Sequence, residues 1–263
     1  MTSKPEKSAI FIAVRMKSTR LPKKAVLKIK GRTVIEHLID RLKTSKEADL
    51  IVLCTSINPD DAILVAVARN NGIEGFRGSE ADKLDRFLGA AEKHGIDLIA
   101  AVDGDDIFCD AVYIDKTIQK LKTTGADMVN CDKLPLGAAC NGIKVAALRK
   151  VVQMKGESDT EVWGGYFTNN KAFRVEALEV EPALNRPDIR LTLDYTEDFK
   201  LFQAIFDELY VTGSVFSLRD IVNLFNGKPE LLEITREVHQ QYLKGIETLA
   251  QKIRWQEEGD KKK

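Results

Sequence analysis

Apolar and polar positions follow two alternating rhythms along this chain. The unbroken apolar run Ala9-Ile-Phe-Ile-Ala-Val14 reads as a strand covered on both faces. Leu50-Ile-Val-Leu-Cys-Thr55 and Asp97-Leu-Ile-Ala-Ala-Val102 repeat that pattern, and Asp127-Met-Val-Asn130 is a shorter version. Between these runs the spacing turns helical: Val34, Ile35, Leu38, Ile39 and Leu42 share one helix face. Asn58-Pro59-Asp60-Asp61 supplies a cap, a proline at the first helical position and an acidic first turn, and Asn71-Gly72 stops the helix near Asn70. Lys83 to His94 predicts another helix, ended by Gly95, and Asp110 to Thr123 a further one closed by Thr124-Gly125. This alternation predicts an α/β fold, with a mainly parallel sheet flanked by helices on both faces.

Residues 132–188 break the rhythm. They hold Leu134-Pro-Leu-Gly137, a helical stretch Val145–Met154, the aromatic cluster Trp163-Gly-Gly-Tyr-Phe167 and an extended Phe173 to Val180. An insertion of this kind shapes an acceptor pocket or a subunit contact. Ile189-Arg-Leu-Thr-Leu193 then reads as a strand, with a helix from Glu197 to about Leu209. Beyond Phe225 the chain turns polar; Val238 to Trp255 reads as one long helix and 256–263 as a charged tail. The expected organisation is a main domain over 1–225, carrying the insertion, and a helical extension over 226–263.

Composition narrows the function. The 263 residues include 40 basic and 40 acidic ones, a formal net charge of zero, which argues against nucleic-acid and anionic-membrane partners. No apolar run approaches the roughly 18–20 residues of a spanning helix. The first eight residues are polar, without the apolar core of a signal peptide, so the expected location is cytoplasmic. Cys54, Cys109, Cys131 and Cys140 show no C-x-x-C spacing and read as small buried thiols. None of His37, His94 and His239 pairs with a cysteine at zinc-ligand spacing.

Three charged stretches carry candidate chemistry. Arg15-Met-Lys-Ser-Thr-Arg-Leu-Pro-Lys-Lys24 follows the first strand, which puts several cations at the carboxyl edge of the sheet, where open α/β sheets bind ligands. Guanidinium forks and ammonium groups there suit a polyphosphate; the plain alternative is a solvated basic loop. Val102-Asp-Gly-Asp-Asp106 ends another strand, a place for Mg²⁺ bound by one or two carboxylates plus substrate phosphates, or else a solvated turn. In Leu191-Thr-Leu-Asp194-Tyr-Thr-Glu-Asp198, Thr196 is the expected helix cap, with Glu197 and Asp198 favouring the helix N-terminus. Asp105 and Asp194 would face one cation if their two segments are neighbours.

The order Arg-x-x-Ser-x-Arg-Leu-Pro-x-Lys after a first strand resembles the nucleotide-binding signature of the CMP-sugar-acid synthetase superfamily, which includes the CMP-Kdo and acylneuraminate cytidylyltransferases. Within it the chain is most similar to the spore-coat polysaccharide biosynthesis cytidylyltransferase branch. The stretch Phe76-Arg-Gly-Ser-Glu-Ala-Asp-Lys-Leu-Asp-Arg86 resembles that branch as well, and so does Pro229-Glu-Leu-Leu-Glu-Ile-Thr235. The resemblance implies a Rossmann-related, GT-A-like nucleotidyltransferase fold. It further implies that Arg15, Ser18, Arg20 and Lys23 or Lys24 hold the triphosphate of CTP and stabilise departing pyrophosphate. By the same resemblance Arg77, Ser79 and Arg86 line the nucleotide with Asp103 nearby, and Asp105 and Asp194 hold Mg²⁺. Asp82 and Asp85 read as capping and ion-pair residues.

The implied reaction is CTP-dependent transfer of CMP to a sugar acid or related anionic sugar, releasing pyrophosphate, by a homodimer that serves surface-polysaccharide synthesis. The acceptor would lie near Asn141, Lys144, Trp163 and Tyr166. Trp163 and Tyr166 read equally as a stacking wall or as dimer-interface aromatics. Departures from the family pattern are Lys17 in place of Gly, Ile107 in place of Pro, Asp103 in place of Gln or Thr, and Glu161-Val-Trp163 where a His is usual. A Gly-demanding turn at Lys17 would be strained. The alternatives are a GT-A glycosyltransferase, reading Asp103-Gly-Asp105 as its metal motif, and a non-catalytic nucleotide-binding homologue. The Arg-Leu-Pro-x-Lys loop speaks against the glycosyltransferase.

Overall fold

A computed structural model describes residues 5–160 and 162–249. The strands are β1 (Ser8–Ala13), β2 (Lys28–Ile29), β3 (Arg32–Thr33), β4 (Leu50–Ser56), β5 (Glu74–Gly78), β6 (Leu98–Asp103), β7 (Met128–Asn130), β8 (Asn141–Lys144) and β9 (Val175–Ala177). The α-helices are α1 (Val34–Leu42), α2 (Ala62–Asn70), α3 (Lys83–His94), α4 (Ala111–Thr124), α5 (Val145–Met154), α6 (Gly165–Thr168), α7 (Thr196–Leu209), α8 (Leu218–Gly227) and α9 (Arg236–Leu249). Seven strands form one sheet in the order β5-β4-β1-β6-β8-β7-β9, while β2 and β3 make a separate hairpin.

The four strands β5-β4-β1-β6 run parallel, as the continuous apolar runs require, and β1 is buried along its whole length. Register brings Ala13 beside both Cys54 and Asp103, so the loops after β1, β4 and β6 open at one edge. β8 enters antiparallel between β6 and β7, pairing Ala101 with Asn141 and Leu98 with Lys144. One face of the sheet packs on α1, α4, α7 and α8 through residues such as Ile12, Leu38, Ile118, Phe202 and Phe225. The other packs on α3, α5 and α6 through Phe11, Phe87, Leu148 and Phe167. No helix among the described residues is long and apolar enough to cross a membrane.

Helix ends follow their capping chemistry. Thr33 and Glu36 form a reciprocal capping box on α1, Asp82 caps α3, and the Asp110 carboxylate accepts the N–H groups of Val112 and Tyr113. Two expectations are corrected. Residues 189–193 are not a strand of the sheet: they run extended beside Leu136, joined to it by one isolated parallel bridge at Arg190. Gly137 makes that approach possible, since a Cβ there would sit 2.5 Å from the Leu191 carbonyl. At the start of α7 the N-cap is Tyr195 rather than Thr196, and the Asp198 carboxylate accepts the N–H groups of Asp194 and Tyr195 at 2.8 and 2.9 Å. The expected continuation of α9 to Trp255 and the tail 256–263 lie outside the described residues.

Candidate active site

The loop leaving β1 is pinned at its base. Val14 donates its N–H to the Cys54 carbonyl at 3.3 Å, and Met16 donates to the buried Asp61 carboxylate at 2.6 Å, which Ser56 also hydrogen-bonds. Gly104 lets the turn after β6 press against this loop: a Cβ there would meet the Val14 side chain at 2.6 Å. Lys17 takes no positive φ, so the expected strain is not at that residue. It falls at Lys23 (φ 56°, ψ 27°), a left-handed conformation that Gly adopts at no steric cost.

Loop and turn together bound a cavity of about 680 Å³. Arg15, Ser18, Arg20 and Lys24 line one side; Asp103, Asp105 and Asp194 line another; Glu80, Lys83, Arg86 and Asp159 complete the wall. The Lys24 ammonium donates to Asp105 Oδ2 at 2.5 Å, to the Leu193 carbonyl at 2.7 Å and to Asp194 Oδ1 at 2.9 Å. Two acids 89 positions apart in sequence therefore reach one cation. The backbone reinforces the meeting, because Leu193 N–H donates to the Asp105 carbonyl at 3.1 Å. Arg20 joins them, 2.7 Å from Asp194 Oδ1, with its guanidinium carbon 5.2 Å from the Tyr195 ring centroid.

That convergence is matched by known proteins. The cytidylyltransferase family profile fits residues 9–210. An uncharacterized Methanocaldococcus jannaschii protein, MJ1063, is 32% identical over 90% of this chain and 98% of its own length. The spore coat polysaccharide biosynthesis protein SpsF of Bacillus subtilis is 30% identical over 84% of this chain and 94% of its own. The chain belongs to the cytidylyltransferase family. A cytidylyltransferase structure from Leptospira borgpetersenii superposes with a TM-score of 0.80 at 25% identity, covering 87% of this chain and 97% of that one. A CMP-Kdo synthetase solved with CTP shares the fold, with a TM-score of 0.62 at 14% identity over 77% of this chain and 99% of that one.

Within this cytidylyltransferase, charge and burial set the state of each acid. Burial pushes the Asp194 carboxyl up, but Lys24, Arg20 and Arg190 together bring it below the usual aspartate value. Asp105 is raised by burial and by neighbouring Asp103 and Asp194, against the single pull of Lys24. Asp106, one residue on, is raised well above normal by burial and by Asp105 and Asp103 beside it. Burial lowers the Lys24 ammonium, yet its two carboxylates raise it overall, so it stays charged. Behind Asp194 stands Arg190, whose side chain is fully buried: it bonds Asp198 at 2.7 and 3.0 Å and Asp194 at 3.3 Å.

The residues present fit a hard divalent cation. Among the described residues no three His, Cys, Asp or Glu side chains gather as a closed metal cage. Two carboxylates and a carbonyl already embrace one ammonium, however, and a cation of the Mg²⁺ type takes one or two carboxylates and completes its shell from phosphates.

Several expected site residues lie elsewhere. Arg77 spends its guanidinium on the carbonyls of Ser56, Ile57 and Asn58, clamping the end of β4 outside the cavity wall. Ser79 accepts the Asp82 N–H at 3.1 Å, and Arg86 donates to the Ser79 carbonyl at 2.6 Å, so both hold the turn before α3, though Arg86 also lines the cavity. Lys144 sits at the opposite edge of the sheet, 3.5 Å from Glu6, because β8 runs antiparallel to β6. Asn141 is at the correct edge, beside Ala101, but does not line the cavity. Trp163 and Tyr166 are neither an exposed stacking wall nor exposed interface aromatics: they are 7% and 2% exposed, packed in the core under the sheet with Phe167.

Sequence reasoning missed Lys83, Arg190 and Asp198 as charged groups at the site. Lys83 is buried and holds Asp103 at 2.6 Å. Its signal was its place in the first turn of α3, where the helix dipole disfavours a cation unless an acid faces it. Arg190 stood inside an apolar run, the usual mark of a buried, paired charge.

Proposed function

We propose that the cavity binds CTP with a divalent cation, Mg²⁺ by preference, and that the protein transfers CMP to a sugar acid or related anionic sugar with release of pyrophosphate. The observation that carries this reading is the meeting of Asp105, Asp194, Lys24 and Arg20 in one cavity beneath a cationic loop. Arg15, Ser18 and Arg20, which line the cavity, would bind the β- and γ-phosphates and stabilise the pyrophosphate as it leaves, with Lys23, exposed and outside the cavity lining, adding charge from the loop. Lys24 is the loop cation nearest the acids, and Asp105 and Asp194 would hold the metal. When bound, that cation polarises the α-phosphate and lowers the proton affinity of the acceptor hydroxyl. Asp103, held by Lys83, would meet the nucleotide or acceptor from the β6 side. Arg190 holds Asp194 Oδ2 from behind, which leaves Oδ1 to Arg20 and Lys24 on the cavity side.

A sugar acceptor is supported by the likeness to SpsF, a polysaccharide-biosynthesis protein, and the sugar-acid class by the likeness to 3-deoxy-manno-octulosonate cytidylyltransferases. We further take residues 1–225 as the catalytic unit, residues from 226 as a helical extension, and the working species as a homodimer. A pyrophosphate-release assay with CTP, Mg²⁺ and a panel of sugar acids tests the reading, with ATP, GTP and UTP as controls. Release that needs CTP and one acceptor supports it. Turnover of a nucleotide sugar without consumption of CTP would point to a glycosyltransferase instead.

A further inference from the structure

Lys24 is enclosed far more than its neighbours in the loop: its side chain is 16% exposed, against 47% for Arg20 and 75% for Lys17. An ammonium has three protons to give and no lone pair. Asp105, Asp194 and the Leu193 carbonyl take all three, so Lys24 is saturated without any ligand in the cavity. Those same oxygens are the donor type a hard divalent cation selects. Two cations thus compete for one oxygen cradle, and the lysine is the one covalently held there.

We infer that Lys24 is a resident placeholder which keeps free divalent cations out of the Asp105–Asp194 cradle until a polyphosphate enters the cavity. This rests on the reading of the cavity as a nucleotide site. Leaving the cradle costs the Lys24 ammonium all three of its acceptors, and on the wall it would turn toward, Asp103 already pairs with Lys83 and Glu80 with Lys17, beside Arg15 and Arg20. A polyphosphate held by those cations changes the balance, because its oxygens give the displaced ammonium a new counter-charge. Lys24 therefore ties the two binding events together: each ligand favours the other, and by linkage the coupling is reciprocal. The expected consequence is an order of arrival in which the metal comes with the nucleotide and not before it.

The test is Mn²⁺ binding to the full-length protein in the absence of any phosphate, read from the free-Mn²⁺ electron spin resonance signal. Lys24→Met should bind Mn²⁺ at least about tenfold more tightly than the wild type, within the 5–150-fold span typical of coupled sites. Adding Asp194→Asn to that variant should abolish the gain. Equal affinity in wild type and Lys24→Met, or a gain that survives Asp194→Asn, overturns the placeholder.

Thermal melts of the wild type supply a check that needs no variant. Mn²⁺ alone should leave Tm nearly unchanged, while Mn²⁺ with CTP should raise it by more than the two separate shifts combined. A large shift from Mn²⁺ alone contradicts the inference. The nucleotide reading fails separately: a wild type that ignores CTP while Lys24→Met gains Mn²⁺ removes CTP and keeps the placeholder. Normal CTP turnover with Mn²⁺ bound equally by both proteins removes the placeholder alone.

Discussion

Replacing Arg190 with Met tests how the site is held in place. The guanidinium is completely buried and bonds Asp198, itself completely buried, through two contacts; the Tyr242 ring lies 4.9 Å from its central carbon. Among the described residues, the variant leaves Asp198 the N–H groups of Asp194 and Tyr195 as hydrogen-bond donors. Removing one partner of a buried ion pair costs about 3–5 kcal/mol, and the two remaining donors argue for the lower end, near 3. At about 2–4 °C per kcal/mol for a chain of this size, Tm should fall by roughly 6–12 °C. Arg186→Met is the reference, because the Arg186–Asp188 pair is partly exposed and worth at most about 1 kcal/mol.

Urea unfolding of both variants, with unchanged m-values, gives the comparison. Asp194 keeps Arg20 and Lys24 when Arg190 is gone, so pyrophosphate release measured well below Tm should fall less for Arg190→Met than for Asp194→Asn. A stability loss no larger than that of Arg186→Met would refute the buried-pair argument.

Other outcomes follow from the same geometry. Asp105→Asn and Asp194→Asn should each lower turnover by about 10²–10³, the scale of lost electrostatic groups, whereas Arg77→Ala should leave CTP affinity within about twofold and cost no more than about 1 kcal/mol of stability, because two of its three hydrogen bonds are solvent-exposed and water replaces them. Lys23→Gly should raise the unfolding free energy measured in urea by up to about 1 kcal/mol through relief of the left-handed backbone, with any rise in KM for CTP reporting the lost charge. Burial lowers the His37 pKa, although the ring faces the Ile29 carbonyl at 2.8 Å. A depressed folded-state value means that His37 contributes full stability above its ordinary value of 6.5 and loses it as pH falls from there through the folded value. The wild type should therefore lose more stability than His37→Gln between pH 7.5 and 5.5, and parallel losses would count against this.

Much of the fold is legible because local and global signals agree. The runs at 9–14, 50–55 and 97–102 are apolar on both faces, and each became a central parallel strand within about one residue of the expected ends. Asp82 and the stop residues Gly95 and Gly125 marked the ends of α3 and α4 in the same way. Residues 189–193 misled because a buried extended segment and a sheet strand have the same apolar pattern; what differs is a neighbouring strand, in place of which this segment has one isolated bridge to Leu136 and a single bond from Leu193 to Asp105. Trp163 and Tyr166 carried no periodic context, so their burial under the sheet was not readable from an aromatic cluster. Lys144 and Asn141 are the two ends of one strand, and its antiparallel direction decides that Asn141 rather than Lys144 lies toward the site, a topological fact that spacing does not contain. The family signature drew attention to Arg77, but only its three carbonyl partners reveal what the side chain does.

The most direct measurement is a crystal structure with a non-hydrolysable CTP analogue and Mn²⁺, the metal located by anomalous scattering. The account predicts one peak bonded to an oxygen from each of Asp105 and Asp194 and to a phosphate oxygen, with Lys24 moved onto the triphosphate and Arg15 and Arg20 around it. An analogue bound elsewhere, or a peak away from these two acids with Lys24 still between them, would contradict it.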